Sequence, residues 1–362
     1  MVHQNIKISL PISYKPANSV RLIFFRSVSF YLFLFCLLFC VGCSSGKPQE
    51  VVIYVSVDQV YAEPILAEFE KQTGIRPLPV YDVEAAKTTG LVNRLLAEKS
   101  NPQADVFWSG EFAQTILLKQ EGILTAYVSP AAAEIPAEFK DPDGYWTGFG
   151  GRARVILVNT EVLGDVPMPD SIYSLLDPAY PSDRIGLAYP LFGTTATHAA
   201  ALYALLGEEQ ARTFFEALAA RQVGLADGNA VVRDRVANGQ WLFGLTDTDD
   251  SCVAVQQNYP VKVIFPDQQP EGLGTLVIPN TVALVKGGPH LEAGRKLVDY
   301  LLSREVETQL VQSGWLSFPL RRLPIEPECF AGIEVKPMPV SLEQVYQQIE
   351  RAKTELGEVF IR

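Results

Sequence analysis

Histidine and cysteine are scarce in this chain, three and five among 362 residues. That scarcity works against a structural zinc site, whose Cys and His spacings are missing, and leaves a Ser-His-Asp or Cys-His triad short of parts. His-Glu-x-x-His, Gly-x-Ser-x-Gly and Gly-x4-Gly-Lys-Ser/Thr are all absent, which removes the common local signatures of metalloproteases, serine hydrolases and phosphate-binding loops. Basic residues are also few: 30 Lys and Arg face 41 Asp and Glu, for a formal charge of −11. A surface that tracks phosphates needs clustered Lys and Arg, so nucleic acid is not an expected partner. Internal repeats and low-complexity tracts are absent too.

What is abundant is concentrated at the start. Lys7, Lys15, Arg21 and Arg26 form a basic stretch without a single acid, and residues 28–42 are uncharged and mostly apolar. That run falls short of the roughly 20 residues a helix needs to span a bilayer. It closes on Cys40-Val41-Gly42-Cys43, followed by Ser44-Ser45-Gly46. The junction resembles the lipobox of bacterial lipoproteins, with Cys40 where that motif usually carries Leu. The resemblance implies an export signal over 1–42, a lipid anchor on Cys43, a linker over 43–49, and a domain on the periplasmic or cell-surface side of a bacterial membrane. Without residues 1–42 the balance becomes 26 basic against 41 acidic residues, a net charge of −15. Only Cys252 and Cys329 then remain in the body of the chain. An exported location permits a disulfide between them, and the sequence leaves a bond and two free thiols equally open.

The remaining length exceeds what one core usually supports, so two lobes are expected. The pattern alternates strand and helix. Residues 51–55 form a continuous apolar run that suits a strand buried on both faces. Residues 64–72 read as an amphipathic helix stopped at Gly74, with Pro64 in its first turn. Further helices are expected at 91–98, 112–120, 196–206, 208–220, 230–237, 291–302 and 341–356, with strands at 104–108, 155–158, 185–188, 241–245 and 276–284. This alternation argues for an α/β protein built from parallel βαβ units.

Several stretches occur together in one order: Tyr54-Val55-Ser56-Val57-Asp58-Gln59, Ala104-Asp105-Val106-Phe107-Trp108-Ser109-Gly110-Glu111, Gly148-Phe149-Gly150-Gly151-Arg152-Ala153-Arg154-Val155, Gly193-Thr194-Thr195-Ala196-Thr197-His198 and Asp227-Gly228-Asn229. Over residues 50–320 the chain resembles the solute-binding proteins of ABC importers, in the class that includes ferric-ion-binding proteins. The resemblance implies the two-lobed periplasmic binding protein fold of type II, each lobe a mainly parallel sheet flanked by helices, hinged by crossover strands. Lobe one would comprise 50–150 and a return over 279–318, lobe two 151–278, and a wrapping segment with a final helix 319–362. It also implies permease and ATPase partners, a monomer, and a small solute held between the lobes. Iron(III) with an anion comes first, and a small organic anion or zwitterion such as a phosphonate second.

In open α/β sheets ligands sit beyond the carboxyl ends of the strands, where helix N-termini converge. Ser56, Asp58 and Gln59 occupy such a loop, as do Trp108, Ser109 and Glu111. Gly193, Thr194 and Thr195 open a helix and serve either a ligand or the helix's own amides. Asn229 opens another. Thr246-Asp247-Thr248-Asp249-Asp250 follows a strand where ferric-binding relatives place adjacent tyrosines, and the pair here falls on Asp249 and Asp250. Carboxylates there can hold a hard metal ion or an amine, or simply solvate a turn. Arg152 and Arg154 alternate onto one face of a strand, so that one can pair structurally while the other meets an anion. His198 and Trp108 are open to a cleft role or to the core. An enzyme using Asp249 with Glu111 as glycosidase carboxylates has no supporting motif, and a sensor role needs a signalling domain this chain lacks.

Overall fold

The structure, a computed structural model, describes residues 49–82, 89–315 and 317–360. The expected export signal, Cys43 and the linker up to residue 48 lie outside them. The strands are β1 Glu50–Val55, β2 Arg76–Tyr81, β3 Val106–Ser109, β4 Leu124–Thr125, β5 Thr147–Asn159, β6 Ile185–Ala188, β7 Gly224–Ala226, β8 Phe243–Asp247, β9 Val261–Ile264 and β10 Val277–Val285. The helices of eight or more residues are α1 Gln59–Thr73, α2 Thr89–Ala97, α3 Ala113–Gln120, α4 Gly193–Leu206, α5 Glu208–Ala220, α6 Asn229–Ala237, α7 Thr248–Gln256, α8 Leu291–Leu301, α9 Arg304–Gln312 and α10 Leu342–Phe360.

The strands follow one hydrogen-bonded path, β2-β1-β3-β10-β5-β8-β6-β7, with β4 on β10 and β9 on β5. β1 lies parallel between β2 and β3, and β6 parallel between β7 and β8. Each lobe of the α/β fold therefore has a three-stranded parallel core. The long antiparallel strands β5 and β10 join them: residues 147–153 of β5 pair with β10, and residues 154–159 pair with β8 and β9. Val51, Ile53 and Val55 of β1, all of β6 and Phe243 and Leu245 of β8 are buried. Both parallel cores thus read as apolar runs covered on two faces.

β2, β4, β7, β9 and α9 are additional to the sequence expectation, and three expected elements differ in ways that shape the cleft. α1 starts at Gln59, so Pro64 lies inside the helix rather than in its first turn, and Gly74 closes it at φ +69°. β5 runs for 13 residues because its glycines, weak strand formers, allow close approach here. A Cβ on Gly151 would lie 2.5 Å from the Ile278 carbonyl oxygen. β8 is displaced by two residues and ends at Asp247, so Asp249 and Asp250 sit in the first turn of α7 and not in a solvated turn.

After α9 the chain wraps back. Gly151 and Phe318 exchange backbone hydrogen bonds, and Phe318, Phe330 and Phe265 cluster. Glu307 and Arg321 form a buried ion pair beneath this segment. Cys252 of α7 and Cys329 are joined by a disulfide with 5.3 Å between Cα atoms and 77 residues of separation. Closing a loop of that length removes about 4.5 kcal/mol of chain entropy from the unfolded state. Replacing both cysteines by Ala should lower unfolding free energy by roughly that amount in denaturant titrations. Equal stability of the two proteins would contradict a closed bridge in solution.

Candidate functional site

The parallel strands β1, β3, β6, β7 and β8 each deliver their carboxyl end to a helix N-terminus, and these termini line one cleft of about 910 Å³. Lobe one contributes Ser56, Asp58, Tyr61, Gly110, Glu111 and Gln114. The opposite wall carries Gly193, Thr194, Asn229, Asp247, Asp249 and Asp250, with Arg152 and Ile278 from the joining strands. The volume lies within the ordinary range for a small-molecule cleft.

Arg154 is not on this lining. Its guanidinium is fully buried and donates to Asp247 Oδ1 at 2.5 Å, Asn229 Oδ1 at 3.1 Å, Thr194 Oγ1 at 3.2 Å and Thr195 Oγ1 at 3.2 Å. Asp247 Oδ2 in turn accepts from Thr194 Oγ1 at 2.5 Å and Asn229 Nδ2 at 2.9 Å. Both oxygens of Asp247 are therefore occupied, and one network pins β5, β8 and the starts of α4 and α6. Thr195 and Thr246 are buried behind the wall, Thr246 Oγ1 donating to the Asn229 carbonyl.

His198 faces the interior, among Ile172, Leu187, Leu202, Phe214 and Phe215. Burial, helped by the Arg154 charge, drops its pKa to about 3, so the imidazole is neutral. Trp108 and Ser109 are fully buried, the indole against Phe149 and Trp315. Gln59 is exposed and donates to Glu63. None of these four lines the cleft.

The cleft's own charge is lopsided. Asp58, Glu111, Asp249, Asp250 and Glu350 line it against Arg152 and Lys353. Glu111 accepts from the backbone of Ala113 and Gln114 at the start of α3, yet burial holds its carboxyl above the usual range. Burial works to lower the pKa of Arg152, but Asp249, Asp247, Asp250 and Glu111 together hold it above that of an ordinary arginine. Its Nη1 lies 3.8 Å from Asp249 Oδ2. Asp249 Oδ1 is buried with no hydrogen-bond partner among the described residues. Burial pushes the Asp249 carboxyl up, partly offset by Arg152. Asp250 is raised to about 7, first by burial and then by the charges of Asp249 and Asp247, which Arg233 at 3.4 Å only partly offsets.

Carboxylate oxygens of Asp247, Asp249 and Asp250 lie within 4.8 Å of one another. Since Arg154, Thr194 and Asn229 occupy Asp247, two carboxylates remain for a cation. A hard cation that takes about six oxygens must then draw most of them from a co-bound anion or water. Sequence reasoning missed Tyr61 and Trp315, which stack with ring centroids 5.8 Å apart on the lobe-one side. Tyr61 was within reach, three residues along the helix from Asp58. Trp315 carried no local signal, and neither did Ile349, Glu350 and Lys353 of α10, which come from the far end of the chain.

A carboxyl raised from 3.8 to about 7 stabilises the fold fully below pH 4 and loses that contribution as pH rises through 7. In ligand-free protein, Asp250→Asn should therefore melt above wild type at pH 8, with the gap narrowing towards pH 5. Parallel melting curves across that range would contradict the crowding of these carboxylates.

Comparison with known proteins places this geometry. Over 319 residues the chain is 27% identical to iron uptake protein A1 of Synechocystis, covering 84% of this chain and 85% of that one. It is also 27% identical to a putative 2-aminoethylphosphonate-binding periplasmic protein of Salmonella paratyphi A, covering 78% and 83%. Among solved structures, a Trichodesmium protein in complex with iron and citrate superposes with a TM-score of 0.76 at 21% identity, covering 86% of this chain and all of that one. Ferric iron-binding protein A of Mannheimia haemolytica in an open conformation gives 0.73 at 22%, covering 86% and 98%. Residues 101–329 match the family described as bacterial extracellular solute-binding protein, and with more than half of its length inside that match the chain belongs to this family.

Proposed function

We propose that this protein is the solute receptor of an ABC importer, anchored through Cys43 outside a bacterial membrane. As a monomer it binds without turnover and passes its cargo to permease and ATPase subunits. The cargo is iron(III) or a related hard cation travelling with an anion. One observation carries this reading: Asp249 and Asp250 face the cleft crowded together, with one oxygen unpartnered and one carboxyl half-protonated near pH 7. A cation relieves that crowding, and Arg152 beside it suits the anion. Relatives support this reading, among them the major ferric iron-binding protein of Neisseria meningitidis.

A second reading is favoured by a specific feature. Among the described residues Tyr61 is the one tyrosine on the lining, and they offer no pair of phenolates for iron. A zwitterion such as an aminophosphonate would place its amine on Asp249 and Asp250 and its oxyanion on Arg152. Opening and closing about β5 and β10 would give either cargo entry and capture.

Calorimetry with iron(III) citrate and with 2-aminoethylphosphonate separates the two cargoes. Changing Asp249 and Asp250 together to Asn preserves size and removes both charges. It should weaken binding about a hundredfold or more, since each contact to a charged group contributes roughly 1.5–3 kcal/mol. Affinity within about threefold of wild type would remove both residues from the site, because that change corresponds to well under 1 kcal/mol.

A further inference from the structure

Both ends of the Asn280 side-chain amide are buried without a hydrogen-bond partner among the described residues, and the residue is fully inaccessible. Native interiors rarely leave an amide in that condition, so its position calls for a reason. Asn280 stands on the joining strand β10, where the pairing with β5 shifts register between Pro279 and Asn280. The next side chain, Thr281, turns to α3 and meets Thr115 Oγ1 at 2.7 Å. Alternation therefore sends Asn280 to the opposite face.

Gly110 separates this amide from the cleft. It lines the cleft, and a Cβ added to it would lie 3.9 Å from Asn280 Oδ1 and 3.7 Å from the Ser56 carbonyl oxygen. Because Gly110 has no side chain, nothing of its own covers the amide at that point. Both distances are ordinary van der Waals contacts and the glycine is not in the left-handed region, so backbone geometry alone does not demand glycine there.

We propose that Asn280 is a recognition residue beneath the floor of the cleft, reached past Gly110 when the cleft rearranges around its cargo, and that it binds a hydroxyl of the cargo or of the anion carried with it. The inference rests on the reading of this cleft as the solute site. The chemistry follows from the amide having both a free donor and a free acceptor. A bare cation would satisfy only Oδ1 and a fully ionised oxyanion only Nδ2, whereas a hydroxyl accepts from one and donates to the other.

Two variants test this, with iron(III) citrate as the hydroxyl-bearing probe. Asn280→Ala removes the amide without adding bulk to a buried site, so it should bind the probe about tenfold more weakly, the effect of one neutral hydrogen bond. Gly110→Ala places a methyl 3.9 Å from Asn280 Oδ1 in the path of approach, and should leave the melting temperature near wild type and weaken binding similarly. Affinities within about threefold of wild type in both variants would overturn the inference. If binding is lost in the Asp249 and Asp250 double variant but kept in these two, the cleft reading stands and only this inference fails. If the wild type binds neither this probe nor 2-aminoethylphosphonate, the cleft reading fails and takes the inference with it.

Discussion

The ion pair between Arg154 and Asp247 is the constraint on which the lobe-two wall depends. It is fully buried, and removing one partner of such a pair typically costs about 3–5 kcal/mol because the other charge is left unpaired. Its effect is geometric as much as energetic. By gathering Thr194, Thr195 and Asn229 onto one guanidinium, it fixes the starts of α4 and α6 against the middle of β5 and the end of β8. The starts of these helices, with that of α7, then face the same space.

That network also decides which acids remain for a ligand. Asp247 is neutralised inside the wall, whereas Asp249 and Asp250, two and three residues on, are held at the surface of the cleft by the first turn of α7. Helix N-termini favour negative charge, but burial and mutual repulsion outweigh that benefit and raise both carboxyls. The carboxylates are thus held in an electrostatically unfavourable arrangement of the kind a cation would relieve. Places where local rules are broken in this way are expected at functional sites. The disulfide from Cys252 to Cys329 secures the same helix one turn further along.

Much of the architecture was legible in the sequence because the inner parallel strands β1 and β6 are largely buried and read as apolar runs, whereas the partly exposed edge strands β2 and β7 carry no such signal. α5 matched its expected bounds at both ends, since Gly207 and the acids at 208 and 209 mark its start. What escaped was controlled by distant partners. β5 was read as four residues because its glycine-rich first half looks like a loop, and only the approach of β10 makes it a strand. Asp and Thr at 246–250 looked like turn formers, yet the Arg154 pair turns them into a strand end and a helix start. Arg152 and Arg154 were rightly seen as sharing a strand face, but which one pairs inside and which meets the cleft depends on β8. His198 and Trp108 were left open between cleft and core, and packing against residues remote in sequence puts both in the core.

The central claim is that this cleft holds a positively charged group against Asp249 and Asp250. Native mass spectrometry with metal analysis, on protein purified from its own host without added ligand, tests it most directly. The account predicts a bound metal ion or amine-bearing solute that is retained at pH 8 and held progressively more weakly as the solution is acidified below about 7, where the unliganded Asp250 takes up its proton. A tightly bound molecule with neither a metal nor a cationic group, held equally at both pH values, would contradict it.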